Sequence, residues 1–270
     1  MTWNMAYMKP GRYKSKQNRR RQWALLAAIS PDVALLQECR PDDLATLAPP
    51  WMAEEYNIVT SAPDRMAGSA VLARKAYQPE HIDSGHLPEP EQRWLTFFAR
   101  YVGTARLTVE GAVVNVASVH ALAGEVNNTA ITDDDHLATK RASKDRARYN
   151  DVAANALLPL TRGSQFIIGG DWNIALLFDT TSPATAPGSA EFFAARTADG
   201  WHHALRKFSP AEVRTYLDSK SAAYELDHIF TDHESHGTLT ACHVLSDPVL
   251  QALSDHAPLI AEFGSCRLEL

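Results

Sequence analysis

At 270 residues and 29.8 kDa, with 45% hydrophobic and 21% charged side chains, the chain can bury about 75% of its unfolded surface and needs no covalent staple to fold. Its cysteines, Cys39, Cys242 and Cys266, lie far apart with no Cys-x-x-Cys pair, which argues against a disulfide scaffold and against a locally spaced zinc site. A net charge of -6 and a pI near 6.0 speak against a protein that coats nucleic acid with basic surface, and no apolar run approaches the ~20 residues of a membrane span.

The opening Met1-Thr2-Trp3-Asn4 shows no basic segment followed by an apolar one. No secretion signal is read, and a soluble, reducing, cytoplasmic setting is expected for one domain over residues 1–270. In chain order, a basic helix is expected over 15–29 and an apolar strand over 32–38 (DVALLQE) after Pro31. Further strands are expected at 69–73, 94–102, 106–109, 112–120, 166–169, 226–230 and 259–263. Tyr149, Val152, Ala153, Ala156, Leu157 and Leu160 set one apolar stripe on a helix whose opposite face holds Arg141, Lys144 and Arg148. Residues 121–139 and 179–190 are read as long loops. Short apolar runs alternating with helical patterns define an α/β domain.

Charge is uneven along this order. Lys9, Arg12, Lys14, Lys16, Arg19, Arg20 and Arg21 have no acid among them, and Lys140 to Arg148 holds five basic residues against one Asp. Two readings stand for each patch, a solvated helix face or a phosphate contact.

Polar residues gather where strands end. Glu38 and His120 each close an apolar strand, Asp171 and Asn173 follow Gly169-Gly170, Asp227 interrupts a fourth run, and Asp255-His256 precedes a fifth. Charged groups at the ends of buried strands are costly unless paired, metal-bound or lining a crevice. Five such ends point to one shared site.

Six segments, TWN (2–4), LQE (36–38), SVH (118–120), GDWN (170–173), LDHIF (226–230) and SDHAPL (254–259), together resemble the successive motifs of the endonuclease/exonuclease/phosphatase superfamily. The resemblance covers nearly the whole chain. It implies a DNase I-like four-layer α/β sandwich, two mixed β-sheets packed face to face with helices outside and the site at one sheet edge. It also implies a Mg²⁺ cofactor, with Mn²⁺ as an alternative. Mg²⁺ takes oxygen ligands and keeps several waters, so one or two carboxylates suffice. Glu38 is the implied principal ligand, Asn4 holds Glu38 or a metal-bound water, and Asp255 reaches the same ion. Asp171 orients the attacking water, and Asn173 donates to a phosphate oxygen or to the nucleophile. Gly169 and Gly170 are read as letting backbone approach a ligand closely.

By the same resemblance, Asp227 and His256 form a dyad in which the carboxylate fixes the imidazole's tautomer. Whether His256 takes the water's proton or stabilises the phosphorane stays open. His120 leans away from dedicated apurinic-site repair, where a tyrosine is typical, and is assigned to phosphate contact or to leaving-group protonation. Tyr216 either stacks on a base or ribose or packs in the core. His228 should point away from Asp227 and pack. His202-His203 is read as a helix start and Asp133-Asp134-Asp135 as a solvated turn. Only two residues precede TWN's tryptophan, so a short first strand and a loosely held Asn4 are expected.

These readings converge on a metal-dependent phosphodiesterase, a nuclease acting on DNA or RNA, with Arg12, Lys14, Arg141, Lys144 and Tyr216 as substrate contacts. No membrane and no obligate protein partner are expected. Two alternatives stand: a phosphomonoesterase or inositol/phospholipid headgroup phosphatase on the same fold, and a catalytically dead binding module.

Overall fold

The computed structural model describes residues 1–7, 11–61, 67–126, 148–182, 188–218, 221–247 and 249–264, with the side chain of Arg12 left out. Arg141, Lys144 and Asp133–Asp135 lie outside the described residues. In chain order the strands are β1 (Thr2–Asn4), β2 (Val33–Cys39), β3 (Tyr56–Thr60), β4 (Gly68–Arg74), β5 (Glu80–His81), β6 (Val102–Val109), β7 (Ala112–His120), β8 (Gln165–Asp171), β9 (His202–His203), β10 (Asp227–Thr231), β11 (Leu239–Val244) and β12 (Leu259–Phe263). They form two mixed six-stranded sheets, ordered β11-β12-β1-β2-β4-β3 and β5-β6-β7-β8-β10-β9.

The four-layer sandwich follows from alternation along the strands. On β2, Leu35 joins Val71, Ala73, Ala105, Leu107, Val114 and Val116 between the sheets, whereas Leu36 faces outward with Trp3, Trp23, Leu26, Met52 and Leu253. That outer core buries the helix Lys16–Ile29, whose Ser15 hydroxyl accepts the Asn18 N–H as an N-cap. On the far side, Val119, Phe166 and Ile168 pack under Trp94, Phe98, Val152, Leu157 and Trp201. Among the described residues no helix is long and apolar enough to cross a membrane.

Several sequence readings need correction. The expected strand over 94–102 is not there apart from its last residue, where β6 begins: Glu89–Phe97 is a helix that starts on Pro88-Glu89-Pro90 and carries Glu89 and Glu91 in its first turn. Proline at the start and early acids are helix signals, and they outweigh an apolar run that fits either period. His202-His203 pairs as a strand with Thr231 and Phe230. The second long helix spans Tyr149–Thr161 and is buried on nearly every face. Arg148 is its buried N-cap, bridging Glu125, so it does not sit on a solvated face.

Gly169 and Gly170, at the start of the fourth motif, serve the sheets. A Cβ on Gly169 would meet Leu35 of the opposing sheet at 3.0 Å, and one on Gly170 would sit 1.8 Å from the Val119 carbonyl oxygen. Gly170→Ala is therefore expected to cost about 4 kcal/mol or more, because the obstacle is backbone that cannot step aside. Urea unfolding measures this, and a loss below about 1 kcal/mol would contradict the assignment.

Candidate active site

Strand register assembles the site. In β7, β8 and β10, His120 pairs with Asp171 and Asp171 with Asp227, so three motif residues stand in one row across neighbouring strands. β1 adds Asn4 beside Gln37 in the other sheet. Pairing between β2 and β4 is irregular between Leu36 and Cys39, and Glu38 there adopts a left-handed φ of 50°. Such a bulge costs backbone energy and re-aims one side chain; here it separates Glu38 from the inward-pointing Gln37, whose amide donates to the Ser118 hydroxyl at 3.0 Å.

Asn4 is firmly held, contrary to the expectation from its short strand. It is 2% exposed, its Oδ1 accepts the Ala6 N–H at 2.8 Å, and its Nδ2 donates to Asp171 Oδ2 at 3.0 Å and to Glu38 Oε1 at 3.4 Å. Two carboxylate acceptors fix which end of the amide faces them. Asn4 thus bridges Glu38 and Asp171, and its oxygen is turned toward the backbone.

His256 Nδ1 pairs with Asp227 Oδ2 at 2.8 Å, leaving Nε2 3.7 Å from Asp171 Oδ2. The Trp3 indole donates to the His256 carbonyl at 3.0 Å, and the Ser254 hydroxyl donates to the Asn4 carbonyl while accepting the His256 N–H. The first and last of the six motifs are locked together by these bonds. Thr215 Oγ1 accepts the Asp227 N–H at 3.1 Å from below. Burial by itself would lower His256, but Asp227 and Asp171 outweigh it and push the imidazole up to about 10, with Asp255 adding in the same direction. Burial raises Asp171 above the ordinary carboxylate range; His256 and His120 oppose this, and Asp227 adds to it.

His120 aims Nε2 at both acids, 3.7 Å from Asp171 Oδ2 and 3.9 Å from Glu38 Oε1. Its buried Nδ1 has no hydrogen-bond partner among the described residues, and Tyr101 packs against the ring at 5.9 Å. Asn173, at a left-handed φ of 48°, sends its N–H to Asp171 Oδ1 at 3.0 Å and its Nδ2 to the Ala121 carbonyl at 2.8 Å. Asp255 is buried, and its carbonyl accepts the Leu217 N–H at 2.6 Å. Tyr216 is half-buried with its ring 5.1 Å from that of His256, and Lys14 lies 6.0 Å over the Tyr7 ring.

Sequence reading missed the group around Tyr7. Arg40 Nη1 donates to the Tyr7 hydroxyl at 3.2 Å, and the guanidinium lies 5.6 Å over the ring. Arg40 stands two residues after Glu38 and Tyr7 three after Asn4, so proximity in sequence to both motifs was the available signal.

The donor set suits a hard divalent cation. Glu38, Asp171 and Asp227 offer carboxylate oxygens, and Asp227 Oδ1 is buried without a hydrogen-bond partner among the described residues. Asp171, Asp227 and His256 also bring ligand-type atoms within 4.8 Å of one another.

A row of acids and imidazoles thus stands on the rim of a two-sheet sandwich. The profile of the Endonuclease/Exonuclease/phosphatase family matches residues 1–256, and the chain belongs to that family. Comparison with curated protein sequences finds no match. Among solved structures it is similar to an AP endonuclease from Archaeoglobus fulgidus (18% identity, 97% of both chains, TM-score 0.64). A 3'-5' exonuclease from Neisseria meningitidis (22% identity, 97% of this chain and 98% of that one, TM-score 0.61) has the same fold. So does D. rerio TDP2 complexed with single-strand DNA product (17% identity, 98% of this chain and 97% of that one, TM-score 0.63).

Proposed function

We propose that this chain is a Mg²⁺-dependent phosphodiesterase that hydrolyses nucleic acid. One observation carries the reading: Asp171 Oδ2 lies 3.7 Å from both His120 Nε2 and His256 Nε2, with His256 bound to Asp227 at 2.8 Å. Water attack on a phosphodiester needs a proton acceptor, a donor for the leaving oxygen and positive charge for the phosphorane.

Asp171, raised by burial, is the stronger base for that reason, and orients and deprotonates the water. His256, a cation in the free protein at neutral pH, stabilises charge on the phosphorane. This favours the second of the two roles left open by the sequence. His120 protonates the leaving oxygen, and Asn173 donates to a phosphate oxygen. Glu38 would hold the metal, with Asp171 or Asp227 completing the oxygen set and Asn4 keeping Glu38 in place. When bound, Mg²⁺ neutralises phosphoryl oxygens and fixes the substrate's orientation.

A polymer is favoured over a small ester by the cations beside the site. Lys14 and Arg40 gather on Tyr7, next to the first two motifs, where they would hold flanking phosphates together with Arg12. Arg141 and Lys144 are proposed to do the same on the other side, and Tyr216 to stack on a base.

Plasmid nicking should disappear with EDTA and return with Mg²⁺ or Mn²⁺. Absence of cleavage of any DNA or RNA, alongside turnover of inositol phosphates, would overturn the nuclease in favour of the phosphatase. Tight substrate binding with zero turnover under every divalent metal would mark a binding module.

A further inference from the structure

On the face of β10 opposite Asp227 lies a second polar cluster that the reaction above does not use. His228 and Glu225 have fully buried side chains and His203 is 11% exposed. His203 Nε2 and His228 Nδ1 are 2.8 Å apart, Glu225 Oε1 is 3.5 Å from the first and 3.2 Å from the second, and His228 Nε2 is 2.8 Å from the Ile174 carbonyl oxygen.

Two imidazoles and a carboxylate at these spacings have the composition of a zinc site. The hydrogen bonds argue otherwise. His203 Nδ1 accepts the Arg206 backbone N–H at 3.3 Å, so it carries no proton, and the neutral ring is protonated on Nε2. That proton is donated to His228 Nδ1. His228 is then protonated on Nε2 and donates to Ile174. A metal on His203 Nε2 would move the ring's proton to Nδ1, directly facing the Arg206 N–H. Moreover, the Arg206 guanidinium already bonds Glu225 Oε1, and Glu225 Oε2 accepts the Val213 N–H at 2.6 Å. A dication would meet that guanidinium on the same oxygen.

The imidazole protons therefore point one way, along a relay from the Arg206 backbone N–H through His203 and His228 to the Ile174 carbonyl. Ile174 directly follows Asn173, which stands in a left-handed conformation with bonds to Asp171 and Ala121. A left-handed non-glycine residue persists only where its surroundings over-determine it. We propose that His203 and His228, with Glu225 and Arg206 beside them, form a hydrogen-bonded pair that positions Asn173 through the Ile174 carbonyl. The geometry makes them positioning residues, since neither faces the reacting atoms, and the inference rests on the hydrolytic role proposed for Asn173.

Two substitutions separate this from a merely structural role. In His228→Gln the side-chain amide can still reach Ile174 with an N–H; in His228→Asn it is too short to do so. With whichever phosphate ester the wild type cleaves, His228→Asn is expected to lower kcat about 10- to 100-fold with KM within about twofold, and His228→Gln to restore most of the loss. Nitrogen-15 NMR of the wild type should show His203 and His228 as neutral rings protonated on Nε2. The Asn173 side-chain amide resonance should shift in His228→Asn and return toward wild type in His228→Gln, with both variants folded by circular dichroism.

Wild-type kcat in His228→Asn, an unmoved Asn173 resonance, or one tightly held zinc per chain by elemental analysis would each overturn the proposal. If the wild type cleaves no phosphate ester, the hydrolase reading fails by itself, and the NMR shifts still decide the relay.

Discussion

Glu38→Gln is expected to slow phosphate-ester hydrolysis about 10³-fold at saturating Mg²⁺, corresponding to about 4 kcal/mol of transition-state stabilisation, while the thermal midpoint stays within a few degrees of wild type. Glutamine matches the volume and keeps an oxygen for the Asn4 amide, 3.4 Å away in the native protein, so the change isolates charge. The bulge supports the prediction. A left-handed φ of 50° at Glu38 is a cost that strand pairing alone does not require, and it sets the carboxylate apart from the buried Gln37. Removing the charge also removes one of two acids that Asn4 and His120 hold near each other, which relieves repulsion; the variant should lose activity without losing stability. Single-turnover rates across a Mg²⁺ titration, with unfolding followed by circular dichroism, check both halves. Activity within tenfold of wild type would refute the ligand assignment.

How much of this was legible beforehand depends on whether the determining interactions are local. β2, β7, β8, β10 and β12 announce themselves as apolar runs, and because motif residues sit at their ends, the cluster of Glu38, His120, Asp171, Asp227 and His256 could be expected from one-dimensional order. What brings them together could not. The row His120–Asp171–Asp227 depends on register between strands over 50 residues apart, and the Ser254–Asn4 bond spans 250 positions. Helix Glu89–Phe97 escapes a reading by apolar runs because Trp94, Leu95 and Phe98 satisfy a buried strand as readily as a helix, and only the prolines and acids at its start discriminate. β3 and β11 are half-exposed strands with weak apolar signals. Gly169 and Gly170 misled differently: a glycine pair beside a motif was read as ligand access, whereas its neighbours are Leu35 and Val119. His228 was correctly expected to face away from Asp227, yet its partners His203, Glu225 and Ile174 come from three separate segments, and nothing in the sequence marks them as a set.

His256→Gln and Asp227→Asn are each expected to reduce hydrolysis about 10²- to 10⁴-fold, and the double variant should be little worse than the more damaging single one. Residues that act as a unit are non-additive, because either loss removes the oriented imidazolium. The same pair should also leave a mark on stability in the metal-free protein. His256 in the fold is held at about 10, above the ordinary histidine value of 6.5; proton binding is therefore tighter in the folded chain, and the stabilisation is fully present below pH 6.5 and lost as pH rises through about 10. Urea unfolding of metal-free protein between pH 6 and 10 should accordingly show the advantage of wild type over His256→Gln shrinking as pH rises. In Asp227→Asn, burial of His256 persists while its nearest negative charge is gone, so the imidazole's value should fall and the dependence on alkaline pH should flatten. A wild-type advantage that stays level between about pH 7.5 and 10 would mean that the ring folds in neutral form, and the role of charge stabiliser would pass from His256 to His120.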